Sequence, residues 1–377
     1  MSINQKELKY KIVEVLKTQG FSVNSHVQPI ENTKTTYRDL QQQSRVEQLN
    51  LHRNFIKNHT NKIKEYFVSH GDFNPQNIDL EIREVKHGSD EELVFKWWNL
   101  IWWSVPYQRA YGRQMRFVLW DKGHNSPFGL IGLQSPVLKM SVRDNFLNIP
   151  KEELDLWINK SMQAQRLGAL PPYNNLIGGK LTAMAITSNE VRECYRKKYS
   201  GKKTEMYGRI IEPDLLFVTT TSAFGKSSIY NRLNYYDERV AHSLGYTKGS
   251  GSFHIPENLY KKILKFLELN GVNVSTSFGN GPSRKIKLLY TAFRMLKLPD
   301  YSYHNLKREY FLFPLVSNLQ DTIQGKQSPN YYNRSLDSLV DFWKNRWCLP
   351  RAERDENWRQ FDVHEFVKNE LNKYGLS

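Results

Sequence analysis

Residues 214–231 read DLLFVTTTSAFGKSSIYN, an apolar run that passes into hydroxyl side chains and then into Gly225-Lys226-Ser227. The apolar continuity and β-branched residues of 214–221 predict a buried strand. A strand followed by Gly-Lys-Ser also resembles a phosphate-binding P-loop, whose pattern G-x-x-x-x-G-K-S/T needs a glycine at position 220. That position is a threonine, and a β-branched residue tolerates the required backbone poorly. We therefore expect no ATPase loop here.

The segments on either side of this strand alternate between strand and helix patterns. Residues 113–121 and 128–135 predict two paired strands, joined by the turn-forming residues KGHNSP. Helical spacing, capping residues and stop signals predict helices in the remaining segments: 5–19, 150–165, the stretch that begins at Gly178, 189–199, 227–246, 256–271, and a C-terminal helix from 336 that ends before Pro350. This alternation indicates an α/β (α+β) fold.

Three regions of the chain differ in amino-acid composition. Residues 1–88 are polar and predict an accessory, mostly helical region. Aromatic and apolar residues become denser from 89, so we expect an α/β core over 89–316. Residues 317–377 are predicted to form a basic, Trp-rich helical tail.

Composition favours a polyanionic partner. The 377 residues carry a formal net charge of +16, with basic residues spread over most of the chain, and nucleic acid is the commonest polyanion in a cell. Cys194 and Cys348 lie far apart, without the spacing of a metal site or a disulfide framework, so we expect no metal. The start lacks the pattern of a signal peptide, and the apolar stretch 93–105 is too short to span a bilayer. We expect a cytoplasmic protein.

Two turns are candidate ligand sites. Asn175, Gly178, Gly179 and Lys180 form a glycine turn at a predicted helix start, where backbone amides can approach an anion. Close packing of the backbone explains the same glycines equally well. The second candidate is the carboxyl edge of the strand at 214–221, where ligands of open α/β sheets gather. Its residues are Thr219, Thr220, Thr221, Gly225, Lys226, Ser227, Tyr230 and Asn231.

Basic residues accompanied by aromatic rings are candidates for nucleic-acid contacts, because cations neutralise phosphates and rings stack on bases. The run YQRAYGRQMR (107–116) places three cations among aromatic rings. The predicted contact residues are Arg109, Arg113, Arg116, Lys226, Arg232 and Lys248. Histidine and cysteine spacing offers no metal site and no nucleophile with a partnered base.

The order of parts resembles the cofactor half of the GNAT acyltransferase fold. A glycine turn feeds a helix, and then come a strand and a predicted helix that carries Asn231 and a tyrosine and ends in Leu244-Gly245-Tyr246. The resemblance implies a central mixed sheet flanked by helices, with the glycine turn holding the pyrophosphate of coenzyme A. The string TTTSAFGKSSIYNRLN is also similar to part of the phage DNA-modification protein Mom, although Lys226 and Ser228 replace its histidine and second glycine.

A longer resemblance covers nearly the whole chain from about 93 onward. Five blocks, WSVPYQRAYGRQMRFVLWD, GLIGLQSPVLKMSVRD, YNNLIGGKLTAMAITSNEV, VTTTSAFGKSSIYNRL and LGYTKGSGSFHIP, occur in one order. In this order they resemble the DruA family of the Druantia anti-phage system. The family implies a role in antiviral defence beside a large helicase-like subunit, DruE.

Three functions follow as hypotheses. The first is a DruA-like anti-phage protein that binds nucleic acid, DNA above all, inside a multi-subunit complex. The second is a GNAT-like transferase that modifies a nucleobase or a protein amine; the residues alone assign no cofactor, and the resemblance implies a coenzyme A species. The third is a structural adaptor for the helicase-like subunit.

Overall fold

The computed structural model describes residues 4–69, 71–106, 112–205, 207–249, 254–275 and 284–376. Its strands, in chain order, are β1 (Phe21–Val23), β2 (Val27–Pro29), β3 (Leu80–Glu84), β4 (Gln114–Asp121), β5 (Ser126–Gln134), β6 (Ser161–Ala169), β7 (Phe217–Thr221), β8 (Asn234–Tyr235), β9 (Glu238–Arg239), β10 (His242–Tyr246) and β11 (Glu309–Pro314).

Its α-helices are α1 (Gln5–Thr18), α2 (Lys34–Leu51), α3 (Arg53–Lys64), α4 (Asp90–Ile101), α5 (Ser141–Phe146), α6 (Leu154–Asn159), α7 (Gly178–Ala185), α8 (Asn189–Tyr199), α9 (Glu257–Leu269), α10 (Arg284–Met295), α11 (Leu319–Ile323), α12 (Leu336–Trp343), α13 (Leu349–Arg354) and α14 (Val363–Lys373).

A seven-stranded sheet in the order β10-β11-β7-β6-β5-β4-β3 forms the centre of the protein. Strands β6 and β7 are parallel, and every other neighbouring pair is antiparallel. The mixed sheet confirms the predicted α/β class. The predicted hairpin is also confirmed, since β4 and β5 pair around residues 122–125.

The period of two in β4 decides which face of the sheet each side chain covers. Met115, Phe117 and Leu119 pack into a cluster with α7, α8 and α12, whereas Val118 and Trp120 pack into another with α3, α4 and α14. All nine residues of β5 are buried. Helices therefore cover both faces of the sheet, as the apolar run in β5 requires.

Two predicted helices are strands or turns instead. The prediction for 150–165 holds only for α6, because β6 begins at Ser161 and pairs with both β5 and β7. Residues 227–246, predicted as one helix, form a short 3-10 turn, the β8–β9 hairpin and β10. Helix-favouring residues in both segments yield to the pairing that the neighbouring strands offer.

The C-terminal helix does not end before Pro350, contrary to the prediction. A π turn over 344–348 links α12 to α13, and Pro350 occupies the first turn of α13. Proline is tolerated there because the first turn of a helix needs no backbone donor from it. The tail packs on the sheet through Trp343, whose indole donates to the carbonyl of Ile177 at 3.2 Å.

Helices α1, α2, α9 and α10 form a second apolar cluster with β1 and the segment around Tyr301. We call this part the helical lobe. It joins segments from both sides of the predicted boundary at residue 88, and β3 likewise precedes that boundary although it belongs to the central sheet. The three-region division of the chain stays a prediction.

We predict opposite effects for two neighbouring glycines at the start of α7. A Cβ at Gly178 would lie 2.7 Å from the carbonyl of Tyr173 and 2.9 Å from the ring of Phe128. Gly178→Ala should therefore lower the free energy of unfolding by about 1–3 kcal/mol, the usual cost of overpacking.

Gly179→Ala is the matched control, because its Cβ would meet only Ile229, at 3.4 Å. Alanine favours a helix over glycine, so this variant should be neutral or more stable by up to about 1 kcal/mol. Chemical denaturation measures both variants, and equal stabilities would contradict the packing explanation for Gly178.

Candidate functional site

A cleft of 2230 Å³ separates the central sheet from the helical lobe. One wall consists of the segment 135–142 that follows β5, the C-terminal end of α8 and the residues after it. The other wall includes α2, the start of α10 and the loop 301–308. Thr221, the last residue of β7, lines the cleft. The strand predicted from residues 214–221 therefore ends at this site.

The lining of the cleft is strongly basic. Within the described chain, Glu205 is the one acidic residue that lines it, against eight lysines and arginines: Arg113, Lys139, Lys198, Lys202, Lys203, Lys248, Lys285 and Arg308. Cations of one sign along a concave surface focus a positive potential that attracts polyanions. The cleft therefore concentrates much of the charge that composition alone assigned to the whole chain.

Three of these cations already have partners in the protein. Lys198 pairs with Glu84 at 2.8 Å, and Lys285 lies 4.0 Å from Glu257. Arg113 donates to the carbonyls of Ile158, Asn159 and Ser161 and to the hydroxyl of Tyr195. By contrast, Lys139, Lys202, Lys203 and Lys248 are exposed and have no ion pair with a described carboxylate, although the ammonium of Lys202 lies 5.7 Å from the ring centre of Tyr199.

The predicted nucleic-acid residues do not form one patch. Arg109 lies outside the described residues, Arg113 clamps the end of α6, and Arg116 pairs with Glu92 at 3.3 Å. Lys226 and Arg232 are exposed on the loop 222–232, and of all the predicted contact residues Arg113 and Lys248 line the cleft. The other six cleft cations were not predicted as contact residues: Lys139, Lys198, Lys202, Lys203, Lys285 and Arg308.

The Gly225-Lys226-Ser227 turn is organised by a buried carboxylate. Glu309, the first residue of β11, is 4% exposed. Its Oε2 accepts from the backbone N–H of Ser227 at 3.1 Å and from the side-chain amide of Asn231 at 2.9 Å, and its Oε1 accepts from the hydroxyl of Ser243 at 2.8 Å. An amide that a P-loop would offer to phosphate is thus already bound to a carboxylate.

The other residues of this strand edge are mostly structural in their contacts. Thr220 donates its hydroxyl to the carbonyl of Ala164 at 2.9 Å and so reinforces the β6–β7 pair. Thr219 is buried with an unpartnered hydroxyl oxygen, and only Thr221 reaches the cleft. Tyr230 packs edge-on against Phe311 and Phe313, and burial raises the pKa of its phenol.

The glycine turn before α7 is closely covered by the C-terminal tail. Ile177 has a φ of 62° and accepts from Trp343, Gly178 is buried, and Lys180 lies 4.2 Å from the ring centre of Trp347. Asn175 accepts from Asn174 at 3.1 Å. Burial, with Arg346 and Arg232 nearby, lowers the pKa of Lys180. This turn and the cleft are separate places, as no residue of the turn lines the cleft.

No signal in the sequence marked Glu309 as buried, since it stands between Arg308 and the apolar run YFLFP. A charged residue at a strand start is commonly exposed.

Within the described ranges there is no cluster of metal-ligating side chains, and both cysteines are free. The same residues include no helix that is long and apolar enough to cross a membrane.

The described residues thus form a mixed α/β sheet whose cleft beside the helical lobe is lined mainly by cations. The family model for Druantia protein DruA matches residues 31–325. A Druantia protein DruA from Escherichia coli strain UMEA 4076-1 is 31% identical over 384 aligned residues, which cover 99% of this chain and 95% of the relative. The chain belongs to the DruA family. No solved structure matches it significantly.

We predict that Glu309 holds the loop 222–231 in place. Glu309→Ala would leave the Ser227 amide, the Asn231 amide and the Ser243 hydroxyl without their acceptor. Because unpaired buried polar groups are costly, the variant should lose about 2–4 kcal/mol of unfolding free energy.

Glu268→Ala, an exposed glutamate in α9, is the control and should change stability by less than about 0.5 kcal/mol. Urea titration of the two variants gives the comparison. A Glu309→Ala protein as stable as the control would mean that the carboxylate is not needed to order the loop.

Proposed function

We propose that this DruA-family protein acts in defence against bacteriophage and that it binds nucleic acid, DNA above all, along the basic cleft. The observation that carries the proposal is the lining of the cleft, in which eight cations face one described acidic residue. Five of the cations are exposed lysines, and the protein as a whole carries a charge of +16. Such a surface binds the phosphate backbone irrespective of base sequence.

The partners of this activity are proposed from the family. The curated relative is named for the Druantia system, and the resemblance implies a helicase-like subunit, DruE, beside the DruA subunit. We propose that the chain works with other Druantia proteins and presents nucleic acid to that subunit. An adaptor that only bridges subunits would need no cationic cleft, so the charge favours a nucleic-acid role.

The salt dependence of binding tests the proposal. Fluorescence anisotropy with labelled duplex and single-stranded DNA should give an affinity that falls steeply between about 50 and 200 mM salt, because several counterions are released. The double variant Lys202→Gln/Lys203→Gln should reduce the slope of log affinity against log salt by about 2.

Lys368→Gln/Lys373→Gln is the matched control. It removes two exposed charges from α14, which does not line the cleft, and should leave the slope within error of the wild type. Equal slopes for both double variants would remove the cleft from the proposal. A protein that binds neither DNA form at low salt but co-purifies with the helicase-like subunit would instead be an adaptor.

A GNAT-like transferase is the second candidate, and one observation favours it. Strand β6 leads through the turn at 170–177 into α7, and β6 lies parallel to β7. The glycine turn, α7 and β7 follow one another as the GNAT resemblance implies, whereas the helix that it implies over 227–246 is replaced by the β8–β9 hairpin and β10. Trp343 and Trp347 pack over the glycine turn, so a coenzyme would have to displace their rings. The transferase is therefore a weaker candidate than the nucleic-acid-binding protein.

Calorimetry with coenzyme A and acetyl-coenzyme A tests the second candidate. Binding at the turn should weaken at least about tenfold in Gly179→Asp, because a carboxylate repels a pyrophosphate. Gly179→Asn introduces a side chain of nearly the same size and shape without the charge and is the control. If the wild type takes up neither compound, or if both variants bind as tightly as the wild type, the turn is not a coenzyme A site.

A further inference from the structure

Arg308 holds a fixed position in the wall of the cleft. It directly precedes β11, and its backbone continues the ladder with β10. Its N–H donates to the hydroxyl of Thr247 at 3.1 Å, and its carbonyl accepts from the N–H of Thr247 at 2.9 Å. The strand ladder, rather than a free loop, therefore sets the place from which this side chain reaches into the cleft.

The guanidinium of Arg308 lacks the carboxylate partner that two fully buried arginines of the chain have. Arg143 and Arg334, which are 0% and 1% exposed, pair with Asp144 and Glu238. Arg308 is half-buried, its Nε has no hydrogen-bond partner, and no described carboxylate lies within ion-pair distance of it. Arg45 and Arg351 also have an unpartnered Nε, but each pairs with a carboxylate through another nitrogen.

The adjacent carboxylate cannot serve as the partner. Consecutive residues of a strand point to opposite faces, and Glu309 is bound on its own side by Ser227, Asn231 and Ser243. At the start of β11, the carboxylate of Glu309 thus lies on one side, where uncharged groups donate to it. The guanidinium of Arg308 lies on the other side, where no described carboxylate accepts from it. Neither charge neutralises the other.

The surroundings of Arg308 are cationic or neutral. Burial lowers the pKa of Arg308, yet arginine stays protonated at neutral pH. Burial, with a contribution from Arg308, lowers the pKa of His304 to about 4, so this histidine is uncharged. The hydroxyl of Tyr37 donates to the carbonyl of Lys307 at 3.2 Å, and exposed Lys248 follows Thr247. An anion that enters here meets no described negative charge beside the guanidinium.

We propose that Arg308 anchors one phosphate group of the ligand that enters the cleft. A guanidinium presents paired N–H donors in a fixed fork that matches two phosphate oxygens. A half-buried cation without a partner costs free energy in the folded state, and a bound anion offsets that cost. Lys248 contributes charge at the same end of the cleft. This inference rests on the proposed nucleic-acid function and names the residue that distinguishes its cleft from a uniformly basic surface.

The test compares Arg308→Gln, Arg308→Lys and the charge-matched variant Lys202→Gln in DNA-binding titrations. Lys202 is an exposed cleft cation, so its loss should weaken binding modestly. Arg308→Gln should weaken binding at least about tenfold, as charged hydrogen bonds to phosphate require. Arg308→Lys should recover part of the loss, because lysine keeps the charge without the fork.

A stability measurement separates an anchor from a structural arginine. Removal of an unpaired, half-buried charge should leave the unfolding midpoint of Arg308→Gln equal to that of the wild type or higher. A clear loss of stability in both Arg308 variants would assign the residue to folding and overturn the proposal. Equal losses of DNA affinity in Arg308→Gln and Lys202→Gln would also overturn it, while nucleic-acid binding by the cleft would stand.

Calorimetry with pyrophosphate and with ATP distinguishes the source of the phosphate. If the wild type binds these small anions but no DNA, and Arg308→Gln loses them, the anchor holds a free nucleotide and the nucleic-acid function fails. If the wild type binds DNA and the small anions compete only at millimolar concentration, the phosphate belongs to a polynucleotide. A wild type that binds neither would refute both the anchor and the proposed function.

Discussion

The complete burial of β5 is the constraint on which the rest of the structure depends. A strand that is buried at all nine positions needs cover on both faces of the sheet. Helices α4 and α14 supply that cover on one face, and α7 and α12 supply it on the other. These helices come from segments far apart in the chain. The accessory-looking ends of the sequence are therefore bound into the same packing as the central hairpin.

The end of the sheet that carries β7, β11 and β10 then decides the chemistry of the cleft. Ladder pairing fixes the start of β11, where Arg308 and Glu309 leave the backbone on opposite sides. The carboxylate orders the Gly225-Lys226-Ser227 turn, and the guanidinium belongs to the cleft wall. The start of β11 thus holds the charges of Arg308 and Glu309 apart, although the two residues are neighbours in the sequence.

The elements that could be predicted from the sequence are those with local signals. The β4–β5 hairpin, α1, α7, α8 and α9 follow from periodicity, capping and turn residues. Strand β6 was missed because its Met, Gln, Ala and Leu residues favour a helix locally, and the pairing of β5 and β7 overrides that preference. The predicted helix at 227–246 failed for the same reason, since β10 pairs with β11.

The sequence by itself determined the α/β class, the basic character and, through five ordered blocks, the DruA family. It did not determine which cations share a site. Both Arg113 and Arg308 line the cleft. Arg113 is prominent in an exposed-looking motif, but its guanidinium is bound by carbonyls at the end of α6, whereas Arg308 has no motif and its Nε has no partner. Composition fixes how many charges a chain carries. Only the packing of distant segments decides which of them find a partner inside the protein and which are left for a ligand.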